Sequence, residues 1–237
     1  MVNKDPLGDC LHEEALALGA DYFGVADLSP AYELINELGG QMTAQFPLAI
    51  SIGVRMPLDI VDQLSRHDDK AVALAYRSHG YDIINIRLNQ ITSRLSSELQ
   101  RKGYRSFPIA AAQTVDSEKR YGLFSHKLAA NLAGLGWVGK SCLLVTPEVG
   151  PRARWASILT DAPLTADQPM AVSCGECSEC VQACPAQAFT GRNFRTDEPR
   201  ELRFDVTKCY EYQRQDREGM DSILCGVCVY VCPHGKT

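Results

Sequence analysis

The spacing of apolar residues predicts one long helix in the first half of the chain. Apolar side chains step by four, three, four and four positions, at Ile84, Leu88, Ile91, Leu95 and Leu99. These steps place all five on one helix face, and the helix should end before Gly103. We predict that this stripe is hydrophobic core and not part of a cofactor site.

Shorter apolar runs alternate between helix and strand character along the rest of the first 160 residues. Glycine and proline mark several of their ends, as at Gly19 and Pro57. Helices are predicted at 7–20, 31–38 and 126–132, and strands at 22–26, 48–54, 106–111, 142–146 and 155–159. This mixture predicts an α/β or α+β domain.

Composition and charge narrow the class of protein. The 237 residues are 45% apolar, which is enough for a real core. Asp and Glu outnumber Lys and Arg by 29 to 24 and no basic block occurs, so a DNA-binding surface is not expected. Residues 1–6 hold no apolar signal core, and no stretch has the roughly 18 apolar residues of a membrane span. We therefore predict a cytoplasmic protein without a membrane partner.

The ten cysteines are unevenly distributed. Eight lie within the last 64 residues, and the rest of the chain holds only Cys10 and Cys142. A turn-rich stretch at 161–169 precedes the cysteine-rich part. These features predict two domains, at 1–170 and 171–237. Cys10 and Cys142 are expected to be small core residues.

The spacing of the eight clustered cysteines predicts two [4Fe-4S] clusters. A C-x2-C-x2-C-x3-C-P run starts at Cys174, and a related set ends in Cys232-Pro233. In two-cluster ferredoxins the fourth cysteine of such a run binds the other cluster. One predicted ligand set is thus Cys174, Cys177, Cys180 and Cys232, and the other is Cys184, Cys209, Cys225 and Cys228.

Two structural zinc ions are the alternative interpretation of these cysteines. Zinc ribbons use pairs of C-x2-C and do not need the x3-C-P ending, so iron is favoured. Two such clusters would make the protein a carrier of low-potential electrons.

A glycine-rich segment at 134–141 matches two nucleotide-binding patterns at once. Its sequence, GLGWVGKS, fits both G-x-G-x-x-G and G-x4-G-K-S. Both patterns require a strand before the loop and a helix after it. Here the predicted order is reversed, with a helix before and a strand after. A tight helix-to-strand turn and a loop that approaches a large flat ligand both remain open.

Several longer segments resemble the epoxyqueuosine reductase and reductive dehalogenase superfamily. They are Ser125–Lys140, Val145–Arg152, Leu159–Leu164 and the double cysteine set, and the resemblance covers about residues 70–237. The resemblance implies a nitroreductase-like α/β N-terminal domain followed by a two-cluster ferredoxin-like C-terminal domain, an α+β fold overall. It also implies a cobalamin that binds base-off, with contacts from Gly134, Leu135, Gly136, Trp137, Gly139 and Lys140.

The chain departs from its relatives where a proton donor is expected. Epoxyqueuosine reductases carry a G-R-D-Y-H-like segment, and the comparable stretch here is Ser78-His-Gly-Tyr-Asp82. Aligned on the tyrosine, the donor aspartate has become Gly80. Asp82 could replace it, although a solvated surface acid is the more common role. The chain also ends five residues after Cys232, without the C-terminal extension typical of the tRNA-modifying enzymes, and shows no export signal.

Three functions remain to be compared. The first is a reductase that passes electrons through the clusters to cobalamin and cleaves a carbon-oxygen or carbon-halogen bond of a small molecule. Its low-potential electron donor would be a ferredoxin or flavodoxin, and its candidate proton donors are Tyr81, Asp82, Tyr121 and His126. The second is an electron-transfer or corrinoid-handling partner, for example of a corrinoid protein. The third, an ATP-driven iron-sulfur reductase, depends on Gly139-Lys140-Ser141 alone.

Overall fold

The computed structural model describes residues 5–214 and 224–236. The α-helices are α1 Pro6–Ala17, α2 Tyr32–Gly39, α3 Gln41–Ala44, α4 Leu58–Asp62, α5 Lys70–Arg77, α6 Ile83–Arg101, α7 His126–Leu132, α8 Glu179–Gln182, α9 Val206–Arg214 and α10 Val227–Tyr230. The strands are β1 Tyr22–Asp27, β2 Leu48–Arg55, β3 Ser106–Ile109, β4 Trp137–Val138, β5 Leu144–Val145 and β6 Ala153–Thr160. A π-helix, Ser78–Asp82, precedes α6, and short 3-10 helices occupy Ser29–Ala31, Gln63–Arg66, Arg200–Leu202 and Pro233–Gly235.

The chain forms two compact units, each built from separate stretches of sequence. Residues 1–54, 85–136 and 154–171 make the first unit, and residues 55–84, 137–153 and 172–237 make the second. The chain passes from the first unit to the second for the last time after residue 171, near the predicted boundary. Two earlier segments, however, also pack with the cysteine-rich part.

The first unit is built on a four-stranded sheet with the strand order β1-β2-β6-β3. The β1-β2 and β3-β6 pairs are antiparallel, so the unit is of the α+β type. β6 is almost entirely buried, and six consecutive residues of β2 are buried. Helix α6 contributes the predicted apolar stripe, whose five members are at most 2% exposed. The prediction of a core-facing long helix is confirmed.

Local chemistry sets several of the helix ends. The Asp5 carboxylate accepts a hydrogen bond from the Gly8 N–H (2.8 Å) at the start of α1. Ser125 caps α7 in the same way through the Leu128 N–H. Helix α1 ends where Gly19 adopts a φ of +94°, as the glycine predicted.

The second unit contains the π-helix, a small hairpin and the cysteine segments. Strands β4 and β5 pair antiparallel, with Trp137 opposite Val145. The hairpin lies within the stretch predicted as a turn followed by one longer strand at 142–146, and the observed strand there covers only Leu144–Val145. The difference arises because Cys142 adopts a left-handed conformation (φ +55°), which interrupts an extended run.

The expectation that both isolated cysteines are core residues is wrong for one of them. Cys142 is buried, but Cys10 is exposed. On α1 the buried positions are Leu11 and Ala15, so the preceding residue faces solvent.

No helix within the described ranges is long and apolar enough to cross a membrane.

We expect Leu95→Ala to lower the free energy of unfolding of the protein by about 2–5 kcal/mol, because this side chain is fully buried in α6. Ile86→Ala, on the same helix at a position that is 57% exposed, is the matched control and should cost less than about 0.5 kcal/mol. Urea denaturation followed by circular dichroism measures both. Equal losses would contradict the assignment of the core face.

Candidate functional site

The four cysteines of the first predicted ligand set lie close to one another in the second unit. The eight clustered cysteines are all partly exposed and form no disulfide. The pKa of the Cys180 thiol is raised to about 11, first by burial and then by the nearby Cys174, Cys232 and Cys177 thiols. The pKa of Cys232 is raised by burial, and then by Cys174 and Cys177. The structure thus brings these four thiols together although Cys232 is distant in sequence.

The other four cysteines form a second group. Burial raises the pKa of the Cys228 thiol well above its ordinary value, and the nearby thiols add to this effect in the order Cys225, Cys209, Cys180, Cys184. Burial also raises the pKa of Cys209, with a smaller contribution from Cys184. Cys180 also acts on Cys228, so the two groups are neighbours. This grouping is the one that the crossed ligand rule predicts.

In residues 5–214 and 224–236, no group of three or more His, Cys, Asp or Glu side chains is placed to hold a single metal ion. A cubane has a different requirement, because each thiolate binds a separate iron at its own corner of the cluster. The two groups of four thiols and the spacing of their cysteines therefore fit [4Fe-4S] clusters.

The glycine-rich segment follows a helix and leads into the β4-β5 hairpin. Gly134 ends α7 with a φ of +67°, and the N–H of Leu135 donates to the Ala130 carbonyl (3.0 Å) in a Schellman arrangement. Phosphate loops and dinucleotide loops instead run from a strand into a helix. The predicted reversed order is confirmed, so the local structure is not that of a nucleotide loop.

Within the first unit, the start of this segment is held by protein contacts. A Cβ at Gly134 would lie in contact with the Gln168 carbonyl, so no larger side chain fits there. The Leu135 side chain packs near Gly24 of β1, where a Cβ would be 3.2 Å away. Gly136 is buried, and its carbonyl accepts a hydrogen bond from the Asn131 side chain (3.0 Å).

Within the second unit, the rest of the segment approaches the first cysteine turn. A Cβ at Gly139 would lie 2.9 Å from Val145 and 3.4 Å from the sulfur of Cys174. Lys140 is only 9% exposed, and its ammonium donates to the Gly175 carbonyl (2.8 Å). Trp137 is also buried and packs edge-on against His234.

Two candidate proton donors lie on or beside the π-helix. Tyr81 packs edge-on against the fully buried Tyr76, with ring centroids 5.5 Å apart. The Asp82 side chain is 60% exposed and lies 3.9 Å from Arg77. At Gly80, where the family resemblance leads one to expect the donor aspartate, a Cβ would be 2.8 Å from the Tyr76 ring. Tyr76 thus occupies the space that a donor side chain at residue 80 would need.

The other two candidates lie in the first unit. Tyr121 pairs through its backbone with Asp116 in a short bridge. The ring of His126 is held on both sides, by the Ser157 hydroxyl at Nδ1 (2.9 Å) and the Ala110 carbonyl at Nε2 (3.0 Å). Burial lowers the pKa of His126 to about 4, so the imidazole is neutral at pH 7. Its Nε2–H then donates to Ala110 and its Nδ1 accepts from Ser157.

Comparison with known proteins agrees with this arrangement. A family model described as "4Fe-4S double cluster binding domain" matches residues 173–235. An epoxyqueuosine reductase from Bacillus anthracis is 33% identical over an alignment that covers 92% of this chain and 62% of that protein. The structure of epoxyqueuosine reductase from Streptococcus thermophilus superposes with a TM-score of 0.66 at 19% identity, covering 96% of this chain and 65% of that one.

A reductive dehalogenase structure, reported with a mechanism for B12-dependent dehalogenation, gives a TM-score of 0.72. It is 19% identical, and the superposition covers 100% of this chain and 34% of that one.

The family model identifies the chain as an iron-sulfur protein with a double [4Fe-4S] cluster domain. It is a relative of the epoxyqueuosine reductases and shares its fold with them and with reductive dehalogenases. The predicted resemblance and fold class are confirmed, and the chain spans 62% of the length of the Bacillus anthracis protein.

Two residues that sequence reasoning did not single out also lie in the site. Tyr76 fills the space beside Gly80, and the buried Arg152 lies against Gly235 in the turn that follows Cys232. Arg152 is the last residue of one of the segments that carry the family resemblance, and this could have marked it as a candidate site residue. For Tyr76 the sequence held no signal, because it reads as an ordinary helical aromatic.

Paired cysteine replacements test the crossed ligand sets by counting iron. Each of Cys180→Ala, Cys228→Ala and Cys232→Ala should retain about four of eight irons, because a [4Fe-4S] cluster needs four thiolates. Cys180→Ala with Cys232→Ala should still retain about four. Cys228→Ala with Cys232→Ala should lose nearly all of them.

Anaerobic reconstitution followed by iron and sulfide analysis gives these counts. The exposed Cys10→Ala is the control and should keep about eight irons. The reverse result for the two double variants would show that Cys232 shares a cluster with Cys228, and the crossed assignment would be wrong.

The environment of His126 predicts a dependence of stability on pH. The unfolded chain takes up a proton near the ordinary histidine pKa of 6.5, but the folded chain does so only near 4. Stability should therefore fall as the pH drops from about 6.5 to about 4, by an amount on the order of 1–3 kcal/mol. His126→Gln should reduce this fall, and His12→Gln, at an exposed position, should not. Urea midpoints at pH 7.5 and pH 5 measure the effect.

Proposed function

We propose that the protein is an iron-sulfur oxidoreductase that passes low-potential electrons through its two [4Fe-4S] clusters to a bound cobalamin. The substrate is a small molecule in which a carbon-oxygen or carbon-halogen bond is cleaved reductively. The observation that carries the proposal is the grouping of eight cysteines into two sets of four within a double cluster domain. The electron donor is a ferredoxin or a flavodoxin.

Support for cobalamin comes from the glycine-rich segment and from the comparisons. Cobalamin, held at Gly136 and Trp137, would supply a low-valent cobalt for reductive bond cleavage. The Trp137 indole N–H is buried and has no hydrogen-bond acceptor among the described residues, so it fits an acceptor on a bound group such as a corrin amide. Gly136 is buried beside it without a side chain. The relatives of known structure include a B12-dependent dehalogenation system.

The other proposed contacts have partners in the protein already. Gly134 needs its left-handed backbone, Leu135 packs near Gly24, and Lys140 binds the Gly175 carbonyl. Gly139 lies close to Val145 and Cys174. In our proposal the segment therefore offers backbone at Gly136 and the indole of Trp137, while the remaining residues fix its shape.

A second candidate function is favoured by the region around Gly80. The relatives' aspartate is absent, and the Tyr76 ring occupies the adjacent space. Asp82 is largely exposed beside Arg77, and His126 is neutral with both ring nitrogens engaged. A protein without a dedicated proton donor would suit electron transfer to another protein's corrinoid, or the handling of a corrinoid, without a substrate of its own.

Anaerobic titration with hydroxocobalamin tests the proposal. The reconstituted protein should bind it saturably, with a spectral change to the base-off form, and should then reduce an organic halide or epoxide with a chemical reductant. Binding without turnover, together with reduction of a separate corrinoid protein, would favour the second function. Absence of any heat or spectral change would refute cobalamin binding and leave an iron-sulfur electron carrier.

Replacing Trp137 tests the role of its indole N–H. Trp137→Phe should weaken hydroxocobalamin binding by about 2- to 10-fold, because one buried hydrogen bond is lost, and should leave the iron content unchanged. Trp155→Phe is the matched control, since the Trp155 N–H is also buried without an acceptor among the described residues. Similar losses of affinity in both variants would show that the effect is general destabilisation.

A further inference from the structure

The second unit places buried positive charge beside one group of thiols. Lys140 and Arg152 are 9% and 2% exposed, whereas most lysines and arginines lie at protein surfaces. The third buried cation of the described residues, Arg203, stacks on the Phe194 ring at 4.7 Å. Lys140 and Arg152 instead approach two different turns that carry ligands of the same predicted cluster.

Lys140 reaches the turn that follows Cys174. Its ammonium donates to the carbonyl of Gly175 (2.8 Å), the residue directly after Cys174. The neighbouring Gly139 lies so close to Cys174 that an added Cβ would be 3.4 Å from the sulfur. The lysine is therefore anchored at the first cysteine turn by its side chain and by the preceding backbone.

Arg152 reaches the turn that follows Cys232. A Cβ at Gly235 would lie 2.7 Å from the Arg152 Nε, and the Gly235 N–H donates to the Cys232 carbonyl (3.2 Å). The guanidinium also pairs with the Asp62 carboxylate (2.8 Å), which offsets part of its positive charge; the Asp62 side chain is 52% exposed, so the offset is partial.

Two thiols of the other group, Cys209 and Cys184, accept hydrogen bonds from neutral donors. The Gln213 amide donates to the sulfur of Cys209 (3.2 Å), and the Ala188 N–H donates to that of Cys184 (3.4 Å). Reduction adds one negative charge to a cluster, and a buried cation stabilises that charge more than a neutral dipole does. Net charge and hydrogen bonds to sulfur are among the factors that set cluster potentials.

We propose that Lys140 and Arg152 are positioning residues that raise the reduction potential of the cluster held by Cys174, Cys177, Cys180 and Cys232 above that of the other cluster. An electron taken up by the pair then settles on this cluster. The inference rests on the cluster part of the proposed function and is independent of cobalamin. The paired cysteine replacements test the ligand sets separately, so the two failures can be told apart.

Redox titration monitored by electron paramagnetic resonance, with dithionite as reductant, tests the proposal. Cys228→Ala leaves only the cluster near the cations, and Cys180→Ala leaves only the other, so each potential is measured alone. In the Cys228→Ala protein, Lys140→Gln and Arg152→Gln should each lower the one-electron reduction equilibrium constant about tenfold, which corresponds to about 59 mV. In the Cys180→Ala protein both substitutions should leave the potential unchanged.

Charge-conserving and exposed variants separate charge from structure. Lys140→Arg and Arg152→Lys should keep the potential of the first cluster near its original value. Lys208→Gln removes a lysine that is 58% exposed and adjacent to Cys209, and should change neither potential. If a protein that combines a cysteine replacement with a Lys140 or Arg152 substitution does not hold its cluster, the Lys140 or Arg152 substitution is made in the eight-iron protein. Both reduction potentials are then measured there. Equal shifts of both clusters, no shift, or equal loss in the charge-conserving variants would overturn the proposal.

Discussion

Iron binds the thiolate form of cysteine, and burial opposes that form. In the second unit the pKa values of four thiols are raised by burial first and by neighbouring thiols second, at Cys180, Cys209, Cys228 and Cys232. Without metal, these thiols are therefore protonated at neutral pH, and cluster assembly must release the protons. Folding of the cysteine-rich segments and assembly of the clusters are coupled for this reason. Buried cations beside one group reduce the same electrostatic cost.

The glycine-rich segment connects this chemistry to the first unit along the chain. Gly134 closes α7 in the first unit, and five residues later Gly139 lies against Cys174 in the second. Each glycine has its own physical reason: a left-handed backbone at one position and close packing at the other. The segment matches phosphate-binding patterns in sequence, but its local structure is not that of a nucleotide-binding loop. Its three glycines have other roles: Gly134 ends a helix, Gly136 is a buried backbone position, and Gly139 packs against Cys174.

Residue 80 is a glycine, and the ring of Tyr76 packs against it. The ring of Tyr76 lies where a side chain at Gly80 would begin, and it also lies 2.7 Å from a Cβ placed at Gly226, two residues before Cys228. Tyr76 therefore fills space near the cysteine segment as well as beside Gly80. A chain with this packing needs either a different donor or a different role, which is why a function in electron transfer remains the second proposal.

The sequence by itself determined the elements and the chemistry whose signals are local. The α6 stripe follows from helical periodicity, α7 from its Ser125 cap, and the number and type of clusters from cysteine spacing. Tertiary structure decided what depends on distant contacts. It joined residues 55–84 and 137–153 to the cysteine-rich part and exposed Cys10. It also placed Lys140 and Arg152 beside two cysteine turns, because a buried charge is chosen by its surroundings in space and leaves no periodic pattern in the sequence.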